Sequence, residues 1–122
     1  MKKLICHCGE VELEIKESEG AFNKFLRCNC TLCKKKGYIM TFAPITDVKI
    51  KKGEDKLKLY QYHTKVAEHY FCSECGIYTH HKMRSRPDTF GLNVGCIDDI
   101  DQFKLENVGL NDGQNHPMDQ KK

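Results

Sequence analysis

Cysteine spacing limits how this chain can fold more than any other feature. Of eight cysteines, seven fall in three tight groups: Cys6 with Cys8, Cys28 with Cys30 and Cys33, and Cys72 with Cys75; Cys96 stands alone. Thiols this close suit a shared metal ion, with Zn–S bonds of ~2.3 Å drawing a short loop around it. They suit disulfides poorly, because neighbours in a Cys-x-Cys loop rarely reach relaxed disulfide geometry. The segment Met1 to Cys6 carries two lysines but lacks the apolar stretch of a signal peptide, so a cytoplasmic location is expected. In that reducing compartment clustered thiols imply metal more than bridges.

The groups divide by spacing. Two ligand pairs far apart in sequence, Cys6/Cys8 and Cys72/Cys75, make a closed tetrahedral set, the usual form for structural zinc. Gly9 and Gly76 follow these pairs directly and allow tight turns behind them. Such a set ties the N-terminal loop to a knuckle beyond mid-chain; its formal charge of about −2 calls for backbone N–H donors nearby. Cys28, Cys30 and Cys33 then form a second set, one thiolate short of closure. Three thiolates make the ion a weak Lewis acid, so activating water is disfavoured against binding a further thiol in its deprotonated form. The opposing reading is that Cys96 or a histidine closes the shell. Cys96 has two other readings, a buried small hydrophobe or a reactive thiol near the second set.

With 122 residues the chain is expected to form one domain over 1–122. No apolar run approaches the ~20 residues of a membrane span. The net charge of +3 comes largely from lysines at 34–36, 49–52 and 56–58, read as a solvated surface. Nucleic acid is an unlikely partner for it, because those lysines lack interleaved aromatics. Residues 10–16 alternate, with Val11, Leu13 and Ile15 facing a core. Further strands are expected at 38–42, closed by Pro44, at 48–50, 57–62, 67–71 and 77–81, and a central one at 90–97. Phe22 and Phe25 are expected beneath the three-cysteine group. The tail from Asp98 has Phe103, Leu105, Val108 and Leu110 as anchors. Helical periodicity is weak everywhere, and one turn after Cys30, leading into the lysines, is the favoured helical piece. Short strands and turns together predict an all-β fold with little helix.

Among the histidines, His7 is expected to face away from the adjacent thiols, and His63 and His69 to be surface or core residues. His80 and His81 point to opposite faces of a strand. His80, His81 and His116 are the candidates for acid–base work.

The ordered motifs Cys-x-Cys-Gly, Cys-x-Cys-x-x-Cys-Lys-Lys-x-Gly, Phe-Cys-x-x-Cys-Gly and Asn-Val-x-Cys-Ile-Asp run from Ile5 towards Pro117. They resemble the glutathione-dependent formaldehyde-activating enzyme and centromere protein V family. The resemblance implies a β-tent, with antiparallel sheets meeting over a structural zinc held by Cys6, Cys8, Cys72 and Cys75. It also implies a second, catalytic zinc held by Cys28, Cys30 and Cys33, and glutathione as the small thiol partner. Residues 112–117 look like that family's C-terminal motif. The expected function is a zinc-dependent carbon–sulfur lyase or synthase acting on a thiol–aldehyde adduct. In it a histidine or water protonates the alkoxide, and lysines near the second set, or Arg84 and Arg86, hold the thiol's carboxylates. The alternative is a non-catalytic zinc module, either a glutathione carrier or a protein or nucleic-acid interaction domain. A sulfoxide reductase on the same fold is disfavoured, because its Arg-x-Cys-x-Asn-like motif is missing around Cys96.

Overall fold

The structure, a computed structural model, describes residues 1–62, 65–83 and 86–112. His63, Arg84, His116 and the motif beyond Asp112 lie outside the described residues. Among the described residues, ten strands and one short helix follow in order: β1 (Lys2–Ile5), β2 (Glu12–Ile15), β3 (Leu26–Cys28), α1 (Thr31–Lys36), β4 (Met40–Pro44), β5 (Val48–Lys52), β6 (Leu57–Tyr60), β7 (Glu68–Cys72), β8 (Tyr78–Lys82), β9 (Thr89–Asn93) and β10 (Gly109–Asn111). The all-β expectation holds, and the six-residue helix lies in the turn after Cys30.

Two sheets form. The smaller has the order β1-β2-β5, and the larger β10-β3-β4-β9-β8-β7-β6. Alternation sets the registers of the small sheet: Leu4 opposes Leu13, and Leu13 opposes Ile50. Val11, Leu13 and Ile15 are therefore fully buried, and each such side chain contributes roughly 1.5–3 kcal/mol. An isolated bridge between Leu4 and Ile97 joins β1 to the segment after β9. Leu4, Cys6, Leu13, Cys72, Leu92 and Ile97 share one core, so the sheets converge on Cys6 and Cys72. A second cluster, Cys33, Tyr38, Met40, Phe42 and Tyr78, lies beneath α1.

Four expectations are corrected. Phe22 packs against the first core rather than under the three-cysteine group, where Tyr38 and Tyr78 lie instead. The strand at 90–97 is central but stops at Asn93, whose side chain accepts the Gly95 N–H and turns the chain into a single 3-10 turn holding Cys96. The strand expected at 57–62 stops at Tyr60; among the described residues it pairs with β7 alone, at the sheet's edge, and Leu59 is half-exposed. In the tail Phe103 and Leu110 are exposed, at 90% and 70%. Backbone pairing holds the tail instead: β10 lies parallel to β3, with Gly109↔Leu26 and Asn111↔Cys28.

Candidate metal centres

The first group is built by two tight turns. Cys6 follows β1, and the Gly9 N–H closes its loop onto the Cys6 carbonyl at 3.1 Å. Cys72 ends β7, and the Gly76 N–H closes the knuckle onto the Cys72 carbonyl at 2.8 Å. Both glycines have positive φ, 81° and 76°, a conformation that costs other residues about 1–2 kcal/mol. The sulfurs of Cys6, Cys8, Cys72 and Cys75 all lie within 4.8 Å of one another. Cys6 to Cys8 and Cys8 to Cys72 are each 3.7 Å. A tetrahedron with ~2.3 Å metal–sulfur bonds has edges of ~3.8 Å, whereas a disulfide needs ~2.05 Å, so this donor set fits a tetrahedral ion. Backbone N–H groups of Val11 and Glu74 point at the Cys6 and Cys72 sulfurs, at 3.3 and 3.4 Å, supplying the donors a charged thiolate set needs.

The second group is local. Cys28 ends β3, Cys30 caps α1, and Cys33 lies one turn along it. Their sulfurs also lie within 4.8 Å of one another, and among the described residues no other ligand type joins them. The Cys33 N–H donates to Cys30 Sγ (3.3 Å), the Cys30 N–H to Cys28 Sγ (3.5 Å), and Asn111 Nδ2 to Cys28 Sγ (3.5 Å). The Gly37 N–H closes the helix onto the Cys33 carbonyl at 3.0 Å. Hydrogen bonds from the Cys28 and Cys33 thiols hold the Cys30 thiol far below its usual range. Hydrogen bonds with the Cys28 and Cys30 thiols, then burial, drive Cys33 the other way. Three thiols are competing for negative charge at one point, a conflict that a cation relieves.

Tyrosines wall this second group. Burial keeps the Tyr38 hydroxyl well above its ordinary pKa, so it stays a donor, and it lies 3.4 Å from Cys33 Sγ. Its ring packs on Tyr78, centroids 4.6 Å apart. The Tyr78 hydroxyl in turn hydrogen-bonds His81 Nδ1. The Tyr62 hydroxyl donates to Cys30 Sγ at 3.9 Å, a long contact. Beside these rings opens a cavity of about 290 Å³, lined in part by Lys36, Tyr60, His69, Tyr70 and Tyr78. Tyr62 connects the two places, because its ring lies 6.0 Å from that of His69.

A scan of family profiles matches residues 1–108 to the glutathione-dependent formaldehyde-activating enzyme family. The chain belongs to that family. A crystal structure of a Rhodobacter sphaeroides protein superposes with a TM-score of 0.83 at 39% identity, covering 89% of this chain and 99% of that one. The two cysteine groups in this family member could thus hold metal ions, consistent with zinc.

The remaining candidates fall elsewhere. Cys96 packs in the first core with Cys6 and Cys72, its sulfur 3.7 Å from the Tyr78 carbonyl. Burial first, then the Cys6 and Cys75 charges, push its thiol up to about 12. It behaves as a small buried hydrophobe, and the reading in which it completes the second group is overturned. His7 is exposed. His80 and His81 face opposite ways, His80 against Tyr70 and Phe90, and His81 against Tyr78 and His69. Burial lowers them to about 4 and about 3, so both rings are neutral at physiological pH and neither reaches solvent as an acid. Lys36, expected on a solvated surface, is instead turned inward with its Nζ 3.5 Å over the Tyr78 ring. The signal for it was present: position 36 is three residues beyond Cys33, hence on the same helical face as that buried thiol.

Proposed function

We propose that this protein is a zinc-dependent carbon–sulfur lyase or synthase acting on a small thiol–aldehyde adduct, with glutathione as the thiol and formaldehyde as the aldehyde its family name suggests. The observation that carries the reading is the contrast between a four-thiol group suited to closure and a three-thiol group walled by tyrosine hydroxyls. Cys6, Cys8, Cys72 and Cys75 would hold a structural ion, and Cys28, Cys30 and Cys33 an exchangeable one.

An ion in the second set would supply one thing, a thiol substrate held as thiolate at neutral pH. The chain's own residues do the rest. The Cys33 and Cys30 N–H groups and the Tyr38 hydroxyl spread the charge of the three thiolates, which keeps the set anionic and selective for a soft partner. Sulfur attacks the aldehyde carbon, the C–S bond forms, and the carbonyl electron pair moves to oxygen, which takes one proton to give the hydroxymethyl thioether. The reverse breaks the same bond. With His80 and His81 sealed and neutral, that proton comes from water in the open cavity rather than from either ring.

The test is exchange NMR of labelled formaldehyde with glutathione, using zinc-loaded protein. Wild type should accelerate exchange, and Cys28→Ala should lose the acceleration together with one equivalent of zinc. Glutathione binding without acceleration would sink catalysis in favour of a carrier. Retention of full acceleration by Cys28→Ala would move the site elsewhere.

A further inference from the structure

Lys36 is the last residue of α1 and stands apart from the other lysines of its run. Lys34 and Lys35 are exposed, whereas the Lys36 ammonium is buried and has no hydrogen-bond partner among the described residues. It rests on the face of Tyr78 at 3.5 Å and lies 5.6 Å from the Tyr38 ring centroid. An aromatic face attracts a cation but accepts none of its three N–H donors in the way an oxygen does. Leaving a buried ammonium without an acceptor is costly, so an unpartnered one in a native structure calls for an explanation. The Cys30 and Cys33 sulfurs act on it only at longer range, with no hydrogen bond to either.

The cavity of about 290 Å³ also has Lys36 as one wall, and its other walls include Tyr60, His69, Tyr70 and Tyr78. Its size is near the low end for small-molecule sites, and flat rings with one convergent charge are their usual lining. We propose that this cavity is a carboxylate-binding subsite, in which Lys36 takes the anionic oxygens and the tyrosine rings take the flat or apolar remainder of the ligand. Burial holds the amine down at about 8, against the pull of the nearby thiols, and a bound carboxylate would restore it towards its ordinary value. The subsite does not depend on zinc chemistry. Its carboxylate comes either from the thiol partner itself or from a separate small acid, and the chemistry of recognition is the same.

The probe is benzoate, which carries a carboxylate and a flat ring but no thiol, titrated against the full-length zinc-loaded protein and followed by amide NMR at Tyr70, Phe71 and Gly76. Lys36→Met should weaken benzoate on the order of tenfold or more, while Lys36→Arg, which keeps the charge, should retain most of the affinity. Competition by glutathione but not by its diethyl ester assigns the carboxylate to the thiol partner. Simultaneous binding of glutathione and benzoate assigns it to a separate acid. Cys28→Ala should leave benzoate binding intact, so a failure of the proposed thiol chemistry is distinguishable from a failure of the subsite. Unchanged benzoate affinity in a folded Lys36→Met variant, or no benzoate-dependent shift at those three amides in wild type, overturns the proposal.

Discussion

The two thiol groups are alike in chemistry and opposite in construction. The first joins Cys6 and Cys8 of the small sheet's loop to Cys72 and Cys75 at the end of β7, across more than half the sequence. The second takes Cys28, Cys30 and Cys33 from one strand end and one helical turn. A metal that closes a long loop removes much of the unfolded chain's freedom, whereas one that closes a six-residue span removes little. The first group should therefore hold the fold, and the second should be free to exchange its ion and do chemistry.

The sharpest way to break that contrast is to cut one ligand from each group. Cys72→Ser removes a fully buried sulfur from the group that links the sheets. Structural zinc is worth ~10–16 kcal/mol in folding-coupled peptides, comparable with the ~5–15 kcal/mol stability of a whole domain. That variant should not fold, by circular dichroism or by melting. Cys28→Ala should fold, melt within a few degrees of wild type and lose one equivalent of metal. If Cys28→Ala unfolds, or Cys72→Ser melts normally, the division of labour fails.

Acid sharpens the contrast next, because the buried histidines sit on opposite faces of β8. In the unfolded chain each titrates near 6.5, but burial lowers the folded values to about 4 for His80 and about 3 for His81. Between those values the unfolded chain binds more protons, so stability is present above pH ~6.5 and is lost as pH falls towards the folded values. The full loss is on the order of 3–5 kcal/mol per ring. Urea denaturation at pH 7.5 and 5 should show wild type losing more than His81→Gln does. Acid also strips thiolates of metal, but both proteins share that effect, so the difference isolates the ring. Equal losses would show that His81 is hydrated rather than sealed.

The sequence showed the thiol groups, the strands of the small sheet and the helical turn, because these follow from spacing and alternation over a few residues. Val11, Leu13 and Ile15 announced their face, and the turn after Cys30 announced α1. What surrounds the second group was not legible. Tyr38 leads into β4 and Tyr78 begins β8, strands that are not neighbours in the larger sheet, and their contact depends on β9 lying between β4 and β8. The covering of Cys28 by Asn111 depends on a parallel pairing at the sheet edge that short, polar β10 does not advertise. The inward turn of Lys36 was different: its spacing of three residues from Cys33 on α1 carried the signal, although composition did not.

Gly91 measures how tightly the second group's wall is packed. A Cβ there would lie 2.0 Å from His81 Cε1, with the ring buried and its Nδ1 engaged by Tyr78. Gly91→Ala should cost about 1–3 kcal/mol by overpacking, and His81→Ala in the same chain should recover part of that loss. By contrast Gly9 and Gly76, in the first group's turns, have open space where a Cβ would go. Their replacement costs only the backbone strain of a positive φ. Chemical denaturation of the three alanine variants separates crowding from strain, and a Gly91→Ala cost that His81→Ala leaves untouched would rule crowding out.

The finest distinction lies in one oxygen atom. Tyr38→Phe removes the hydroxyl 3.4 Å from Cys33 Sγ, which becomes its donor once that sulfur is a thiolate, and leaves the ring's packing on Tyr78 in place. Outer partners of this kind change metal affinity by ~10–100-fold, because an unshared thiolate charge makes the set harder to keep deprotonated. The tyrosine is buried, so water cannot replace the lost donor. Zinc affinity of the second group should fall about tenfold in a chelator competition, while the first group's ion, out of reach of that hydroxyl, should be unaffected. A fall at both groups would mean that the two centres communicate through Tyr78, whose carbonyl meets Cys96 in the first core. No fall at either would mean that backbone N–H groups alone suffice to hold the three-thiol charge. Because the substitution deletes a donor without opening a cavity, either outcome reads electrostatics rather than packing.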